Sequence, residues 1–271
     1  MSVSIQEKSF ALHCLRALRG VVGRELGRFV RQPARLGSAL VRPLLWFVVF
    51  AAGFHQVVDG LAQPPYTADV SYQEYILPGL LGMIALFNGM QSSLSMVYDR
   101  EMGLMRLLLI APLARGWLLA FKLVASTVLS VLQMAIFLLI ALLFGIHTSL
   151  VDIPLLFATL VVTAALLGAF GLLLSVYVRQ IENFAGAMNF VIFPMFFISP
   201  ALYPLFGSES DKPVWLATAA WFNPFSHAVE AIRYALHGQI NLLSWAVMVV
   251  CLAVFFAVAK RGYDPQRGWS R

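Results

Sequence analysis

The sequence predicts an all-α polytopic membrane protein with six transmembrane helices, and three observations lead to this fold class. Hydrophobic residues make up 60% of the 271 residues and charged residues only 12%, whereas soluble domains carry about 25% charged residues. Six apolar stretches approach or exceed the ~20 residues that a helix needs to cross a bilayer. Lysine and arginine are concentrated in alternate connecting segments, as the positive-inside rule requires. The chain should therefore form one transmembrane domain without a separate soluble domain.

The apolar stretches divide the chain into a cytoplasmic N-terminus with an amphipathic interfacial helix (1–36), a transmembrane domain (37–259) and a cytoplasmic basic tail (260–271). Short broken helices are expected between spans five and six, where prolines and glycines interrupt an apolar, aromatic-rich region. The predicted spans run, approximately, over Gly37–Val57, Tyr75–Val97, Gly116–Phe144, Ile153–Val178, Phe184–Tyr203 and Ile240–Ala259.

The N-terminal helix is predicted from two stripes at helical spacing. Such a helix next to a membrane span is typical of a segment that lies on an anionic leaflet, and we expect lipid rather than nucleic acid to be its partner. The apolar stripe is Leu15, Leu18, Val22, Leu26 and Phe29, and the basic stripe is Arg24, Arg28, Arg31 and Arg35.

The charge distribution predicts the orientation of the spans. Inward segments hold 17 of the 19 lysines and arginines, and outward segments hold only Lys212 and Arg233. Both termini of this multi-pass protein should therefore be cytoplasmic. Arg42 and Lys122 lie within apolar spans, where we expect their long side chains to snorkel toward the headgroups.

Several spans carry residues that suit either helix packing or a transport path, and the sequence leaves both interpretations open. Ala164, Gly168 and Gly171 of span four would let a neighbouring helix approach closely. The aromatic cluster of span five should lie on one side of that helix. The polar stripe of span two consists of Asn88, Gln91, Ser92 and Ser95, and the aromatic cluster consists of Phe193, Phe196 and Phe197.

The charged segment 98–115, between spans two and three, predicts a short helix over residues 99–111 that ends at Pro112. Leu104, Leu107, Leu108 and Ala111 would form its apolar face. With two or three turns it is too short to cross the membrane, so this face needs either the lipid surface or a groove in a partner protein.

The amino-acid sequence of segment 98–115 resembles the first cytoplasmic loop of ABC-2 type transporter permeases. The likeness extends to Phe197–Pro204 and Asn223–Tyr234. It implies a coupling helix that contacts a separate ATP-hydrolysing subunit, two copies of the chain in each complex, and export of glycans, lipid-linked sugars, drugs or other amphiphiles. ATP and Mg would then bind to the partner subunit. The residues that carry the resemblance are Tyr98, Asp99, Arg100, Glu101, Gly103, Arg106, Pro112 and Arg115.

The sequence argues against catalysis by this chain itself. It contains no Gly-x-x-x-x-Gly-Lys-[Ser/Thr] loop for nucleotide phosphates, no His-Glu-x-x-His metal motif and no Gly-x-Ser-x-Gly elbow. We therefore expect neither a cofactor nor a metal in this chain. An ion-coupled secondary transporter is the main alternative, but no acidic residue lies near the centre of a predicted span to act as its relay. A non-transporting membrane scaffold is the other alternative, although it leaves the charged loop unexplained.

The charge distribution generates a first prediction, on topology. Reporter domains fused after Gln63 and Glu209 should read as external, and those fused after Gly103 and Gln266 as internal, because each follows a span that crosses toward that side. Paired alkaline phosphatase and green fluorescent protein fusions measure this directly. An external C-terminus would contradict the six-span topology.

Overall fold

The computed structural model describes the chain over residues 16–27, 31, 33–53, 65–66, 70–102, 115–146, 152–178, 180–205 and 213–262. Within these ranges the chain is helical, with short connections and no strand. The helices are α1 over residues 16–27, α2 (Pro33–Gly53), α3 (Tyr72–Glu101), α4 (Arg115–Leu143), α5 (Ile153–Tyr177), α6 (Ile181–Phe197), α7 (Val214–Phe222), α8 (Pro224–Leu236) and α9 (Leu242–Gly262).

Four of these helices, α3, α4, α5 and α9, are long and apolar enough to cross a membrane. The first and fifth predicted spans correspond to α2 and α6, whose apolar parts are shorter, Leu40–Phe50 and Ile181–Phe197. The all-helical class is thus confirmed. Short helices α7 and α8 lie between predicted spans five and six, as the proline and glycine pattern indicates. In α1 the basic residues Arg16, Arg19 and Arg24 are exposed, and the apolar side is half-buried.

Helix α3 is the centre of the bundle. It packs against α2, α4, α5, α6 and α8, and 20 of its 30 residues are buried. The helix begins at a Ser71 N-cap, whose Oγ accepts a hydrogen bond from the Glu74 backbone N–H at 3.3 Å. Pro78 lies in its second turn without ending it. Because α3 contacts helices from both halves of the chain, its position fixes the layout of the bundle.

The closest helix contact lies between α3 and α5, at glycines. A Cβ added to Gly89 would lie 2.8 Å from the Leu167 carbonyl oxygen, and one added to Gly171 would lie 2.7 Å from the Gly89 carbonyl oxygen. Real Cβ atoms do not approach backbone atoms so closely. The prediction that the small residues of span four permit close approach is therefore confirmed for Gly171, and the facing glycine is on α3.

Helix α6 ends at Phe197, and the side chain of Asn223, between α7 and α8, donates hydrogen bonds to carbonyl groups at this end. The Nδ2 of Asn223 donates to the carbonyl oxygens of Met195 at 2.7 Å and Ile198 at 2.8 Å. Its Oδ1 accepts from the Phe225 backbone N–H at 3.0 Å and so caps α8. Non-helical backbone inside a membrane protein needs partners of this kind, because lipid provides none.

The glycine contact generates a second prediction. Gly89→Ala should lower the free energy of unfolding by about 1–3 kcal/mol, the usual cost of overpacking, because the new methyl group would meet the α5 backbone. Gly186→Ala on α6 is the matched control, since nothing lies within 4 Å of its added Cβ, and it should be neutral or slightly stabilising. Thermal unfolding of the purified variants in detergent measures both. Equal midpoints for the two variants would contradict the close contact.

Candidate functional site

The C-terminal end of α3, which the charge distribution predicts to face the cytoplasm, carries a buried ion pair with α4. The Nζ of Lys122 lies 3.1 Å from Oδ2 of Asp99, and both side chains are almost fully buried. The expectation that Lys122 snorkels to the headgroups is therefore wrong. Its ammonium group is satisfied inside the chain, because a buried charge needs a partner of opposite sign.

The next two residues of α3 bind the turn between α5 and α6. The Arg100 guanidinium donates to the carbonyl oxygens of Ser175 at 3.0 Å and Val178 at 2.9 Å. Oε2 of Glu101 accepts from the Ile181 backbone N–H at 3.2 Å, at the start of α6. A cation at the carbonyl end of α5 and a carboxylate at the amide end of α6 are the favourable partners for those two helix dipoles.

Asp99, Arg100 and Glu101 thus join α3, α4, α5 and α6 at the ends that are predicted to be cytoplasmic, and we call these three residues with Lys122 the inner clasp. The sequence predicts that span two ends at Val97 and that a new helix begins at Asp99. That boundary is wrong, because α3 continues without a break to Glu101. The side-chain bonds of the inner clasp stabilise this last turn. Because they join residues that are distant in the sequence, local periodicity does not reveal them.

The other residues of the predicted coupling segment lie at or beyond the ends of these helices. Tyr98 is half-exposed at the surface of α3, and Arg115 begins α4. Gly103, Arg106 and Pro112, with the rest of the predicted short helix, lie outside the described residues. The segment 103–114 therefore leaves α3 directly after the inner clasp and enters α4 seven residues before Lys122.

Two residues of the polar stripe, Asn88 and Gln91, border a cleft near the mid-length of α3. Nδ2 of Asn88 donates to Oγ of Ser130 on α4 at 2.7 Å. Asn88, Gln91, Gln133 and Arg42 line the cleft, whose volume is about 40 Å³. Oε1 of Gln133 is buried and has no hydrogen-bond partner in the part of the chain that the structure describes.

The two serines of the stripe, Ser92 and Ser95, are half-buried and are not among the residues that line the cleft. The Ser95 hydroxyl donates to the Ser92 carbonyl oxygen at 2.6 Å.

Arg42 reaches this cleft from α2. Its guanidinium carbon lies 4.1 Å from the centre of the Phe87 ring, a distance typical of a cation–π contact. Arg42 is exposed, so the expectation that its side chain snorkels stays a prediction; the guanidinium lies beside Phe87, near the middle of α3. The only sequence signal for this was an arginine inside an apolar stretch.

The aromatic cluster of α6 divides between the core and the surface. Phe196 is 1% exposed, whereas Phe193 and Phe197 are 43% and 40% exposed. The Phe196 ring packs edge-on against Trp46 of α2 and lies 6.0 Å from the Phe225 ring of α8. Phe193 and Phe197 stack on each other with ring centres 6.3 Å apart. The Phe196 and Phe197 rings also contact each other, with centres 5.7 Å apart, so the three residues share one side of α6 as expected, and only Phe196 is covered by the core.

A second polar network, at the opposite end of α3 from the inner clasp, was missed by the sequence reasoning. Arg233 of α8 is buried, forms an ion pair with Glu230 and donates to the Pro200 carbonyl oxygen at 2.6 Å. Its guanidinium carbon lies 4.3 Å from the centre of the Tyr75 ring of α3. The Tyr75 hydroxyl donates to the same carbonyl at 3.1 Å. Arg233 is thus part of the core rather than an outward loop charge, and it brings the two segments of the family resemblance after residue 197 into contact.

The sequence of this chain is similar to those of known membrane transport proteins. The model of the ABC-2 type transporter family matches residues 16–237. The chain is 30% identical to a protein of Porphyra purpurea named as a transport permease, ycf38, over 84% of this chain and 76% of that one. It is 29% identical to the Cyanophora paradoxa protein of the same name, over 84% and 78%. A protein of Escherichia coli K12 named as a multidrug ABC transporter permease, YbhR, is 29% identical over 62% of this chain and 45% of that one. This chain belongs to the ABC-2 type transporter family.

The division of the aromatic cluster generates a third prediction. Phe196→Ala should cost about 3–5 kcal/mol of stability, because it leaves a cavity among α2, α6 and α8. Phe193→Ala is the matched control, since the same truncation at an exposed position should cost far less. The thermal unfolding midpoint and the yield of monodisperse protein measure the difference. A destabilised Phe193→Ala with an unchanged Phe196→Ala would contradict the assigned positions.

Proposed function

We propose that this chain is the membrane-spanning subunit of a two-component ATP-driven exporter in the bacterial inner membrane, with both termini cytoplasmic. Two copies would pair, and each would bind a separate ATPase subunit that carries ATP and Mg. The cargo would be amphipathic: a lipid, a glycan carrier or a drug-like molecule. Membership of the ABC-2 family supports this function, and the E. coli relative is named as a multidrug permease.

The inner clasp is the observation that carries the proposal. The segment 103–114, which we propose as the contact for the ATPase, is attached to a helix end that is bonded to α4, α5 and α6 at once. A displacement of this segment would therefore move four helix ends together rather than bend one helix. A segment that merely rested on lipid headgroups would not need such an attachment.

The clasp also changes the role that we give to its charged residues. Asp99, Arg100 and Glu101 hold other helices of this chain, so we propose that they transmit movement rather than form the surface that the ATPase binds. Arg106 and the apolar residues near it stay the proposed contact with the ATPase. Gly103, Pro112 and Arg115 would set the path of the backbone there.

We propose that the exposed apolar side chains of α2 and α6 form the surface that pairs with a second copy. Val48 and Val49 of α2 are 57% and 62% exposed, and Phe190 of α6 is 80% exposed. These two helices contact each other through Trp46 and Phe197, at 6.0 Å between ring centres. Movement of α2, α3 and α6 in two such copies would open a path along the axis between them.

The clasp generates a fourth prediction, on coupling. Glu101→Ala removes the acceptor for the Ile181 N–H and should uncouple ATP hydrolysis from transport, so that export falls sharply while insertion and copy number stay nearly unchanged. Glu101→Gln is the matched control, because its amide oxygen still accepts that hydrogen bond, and it should keep most of the export.

The measurement is ATPase activity and export in proteoliposomes that contain both subunits. Arg106→Ala should also reduce export, through loss of the contact with the ATPase subunit rather than through the clasp. If Glu101→Ala and Arg106→Ala both retain coupled hydrolysis and transport, the coupling role is wrong. An ATPase subunit that fails to copurify with the wild-type chain would overturn the two-component assignment itself.

A further inference from the structure

We propose that the cleft lined by Arg42, Asn88, Gln91 and Gln133 binds the anionic headgroup of a single-chain or larger amphiphile. The apolar tail of this ligand would lie along the exposed side of α2. The inference rests on the proposed function, because it places the ligand on the path of an exporter. It goes beyond that function by naming the charge of the ligand and the residue that recognises it.

The depth of the cleft is the first argument. Asn88 lies 16 residues after the start of α3 and 13 residues before its end, or roughly 24 and 20 Å along the axis at 1.5 Å per residue. A hydrocarbon core about 30 Å thick that is centred on α3 would therefore place the cleft near its middle. An arginine at this depth is costly, and such residues usually face a substrate or ion pathway.

The absence of a counter-charge is the second argument. The sequence has no Asp or Glu between Glu25 and Asp59, and none between Glu74 and Asp99. Helices α2 and α3 therefore supply no carboxylate at this depth, and neither would the same helices of a second copy. Arg42 forms no ion pair with another described residue. Among the described residues, the guanidinium contacts the face of the Phe87 ring, and it shares the cleft with neutral amides and apolar side chains.

The size and lining of the cleft are the third argument. About 40 Å³ is room for a few water molecules, and so for a phosphate or carboxylate group, but not for a whole amphiphile. The guanidinium offers planar paired donors that match either group. A protonated phosphate oxygen or an ordered water would satisfy the buried oxygen of Gln133, which has no partner among the described residues.

The surroundings of the cleft select an amphiphile over a free anion. Arg42 is itself exposed at the side of α2, so the cleft opens to the outside of the chain rather than to an enclosed interior. Beside it, Val41 and Leu45 are 50% and 59% exposed and present an apolar surface. A ligand whose charged head enters the cleft would therefore leave its tail on this surface. A cationic amphiphile would instead be repelled by Arg42.

The test is binding to the full-length chain, purified in a neutral maltoside detergent, without ATP. The probes are oleoyl lysophosphatidic acid, oleoyl lysophosphatidylcholine, which has the same tail but no net charge, and inorganic phosphate. A ligand that binds the folded state raises the thermal unfolding midpoint. We expect only the anionic lipid to raise it. In Arg42→Gln the apparent affinity for this lipid should fall about tenfold or more, because a charge-assisted contact is lost.

Two further variants control the interpretation. Arg261→Gln removes an exposed arginine at the end of α9 and should bind the anionic lipid like the wild type. Arg42→Lys keeps the charge without the planar donors and should lose only part of the affinity, and it also serves if Arg42→Gln does not fold.

Three results would overturn the proposal: equal responses to the two lipids, undiminished binding by Arg42→Gln, or an equal loss in Arg261→Gln. A response to inorganic phosphate alone would overturn the requirement for a tail. Binding is measured here without hydrolysis or transport. A chain that binds the anionic lipid but does not export would therefore contradict only the proposed function. A chain that exports in a coupled manner but does not bind this lipid would contradict only the proposed binding site in the cleft.

Discussion

The backbone contact between α3 and α5 is the constraint on which the rest of the bundle depends. In lipid, helices gain little from burying apolar side chains against one another, so close van der Waals packing has to hold them together. Gly89 and Gly171 permit that packing where a single added methyl group would clash. The two helices then serve as a common wall: α2, α6 and α8 pack on α3, α4 packs on both, and α8 and α9 pack on α5.

Local sequence patterns predicted much of this architecture, because hydropathy and helix breakers act over short distances. The apolar stretches became helices, and the prolines and glycines near residues 198–224 mark the broken region. The end of α3 was mispredicted because Asp99 and Glu101 look like residues that begin a helix, where carboxylates suit the positive dipole end. In the structure both lie in a last turn, and bonds to Lys122 and Ile181, distant in the sequence, offset the unfavourable dipole.

The contacts of three cationic residues could not be predicted from the sequence, and for one common reason. Counting lysines and arginines assumes that each belongs to a loop or reaches the headgroups. Arg42, Lys122 and Arg233 instead contact an aromatic ring, a carboxylate or a carbonyl group inside the bundle. Periodicity reveals on which side of a helix a charge lies, but not what the neighbouring helix offers it. The polar stripe of α3 was therefore recognised, while its partner on α2 was not.

The short length of α6 has a consequence for the surrounding bilayer. Its 17 residues span roughly 26 Å at 1.5 Å per residue, less than the ~30 Å of an average hydrocarbon core. Lipids beside an α6 that crosses such a bilayer would have to shorten their acyl layer, which costs a fraction of a kcal/mol for each ångström of mismatch. Because mismatch of this kind favours helix association, the short length of α6 would favour the pairing of two copies through this helix.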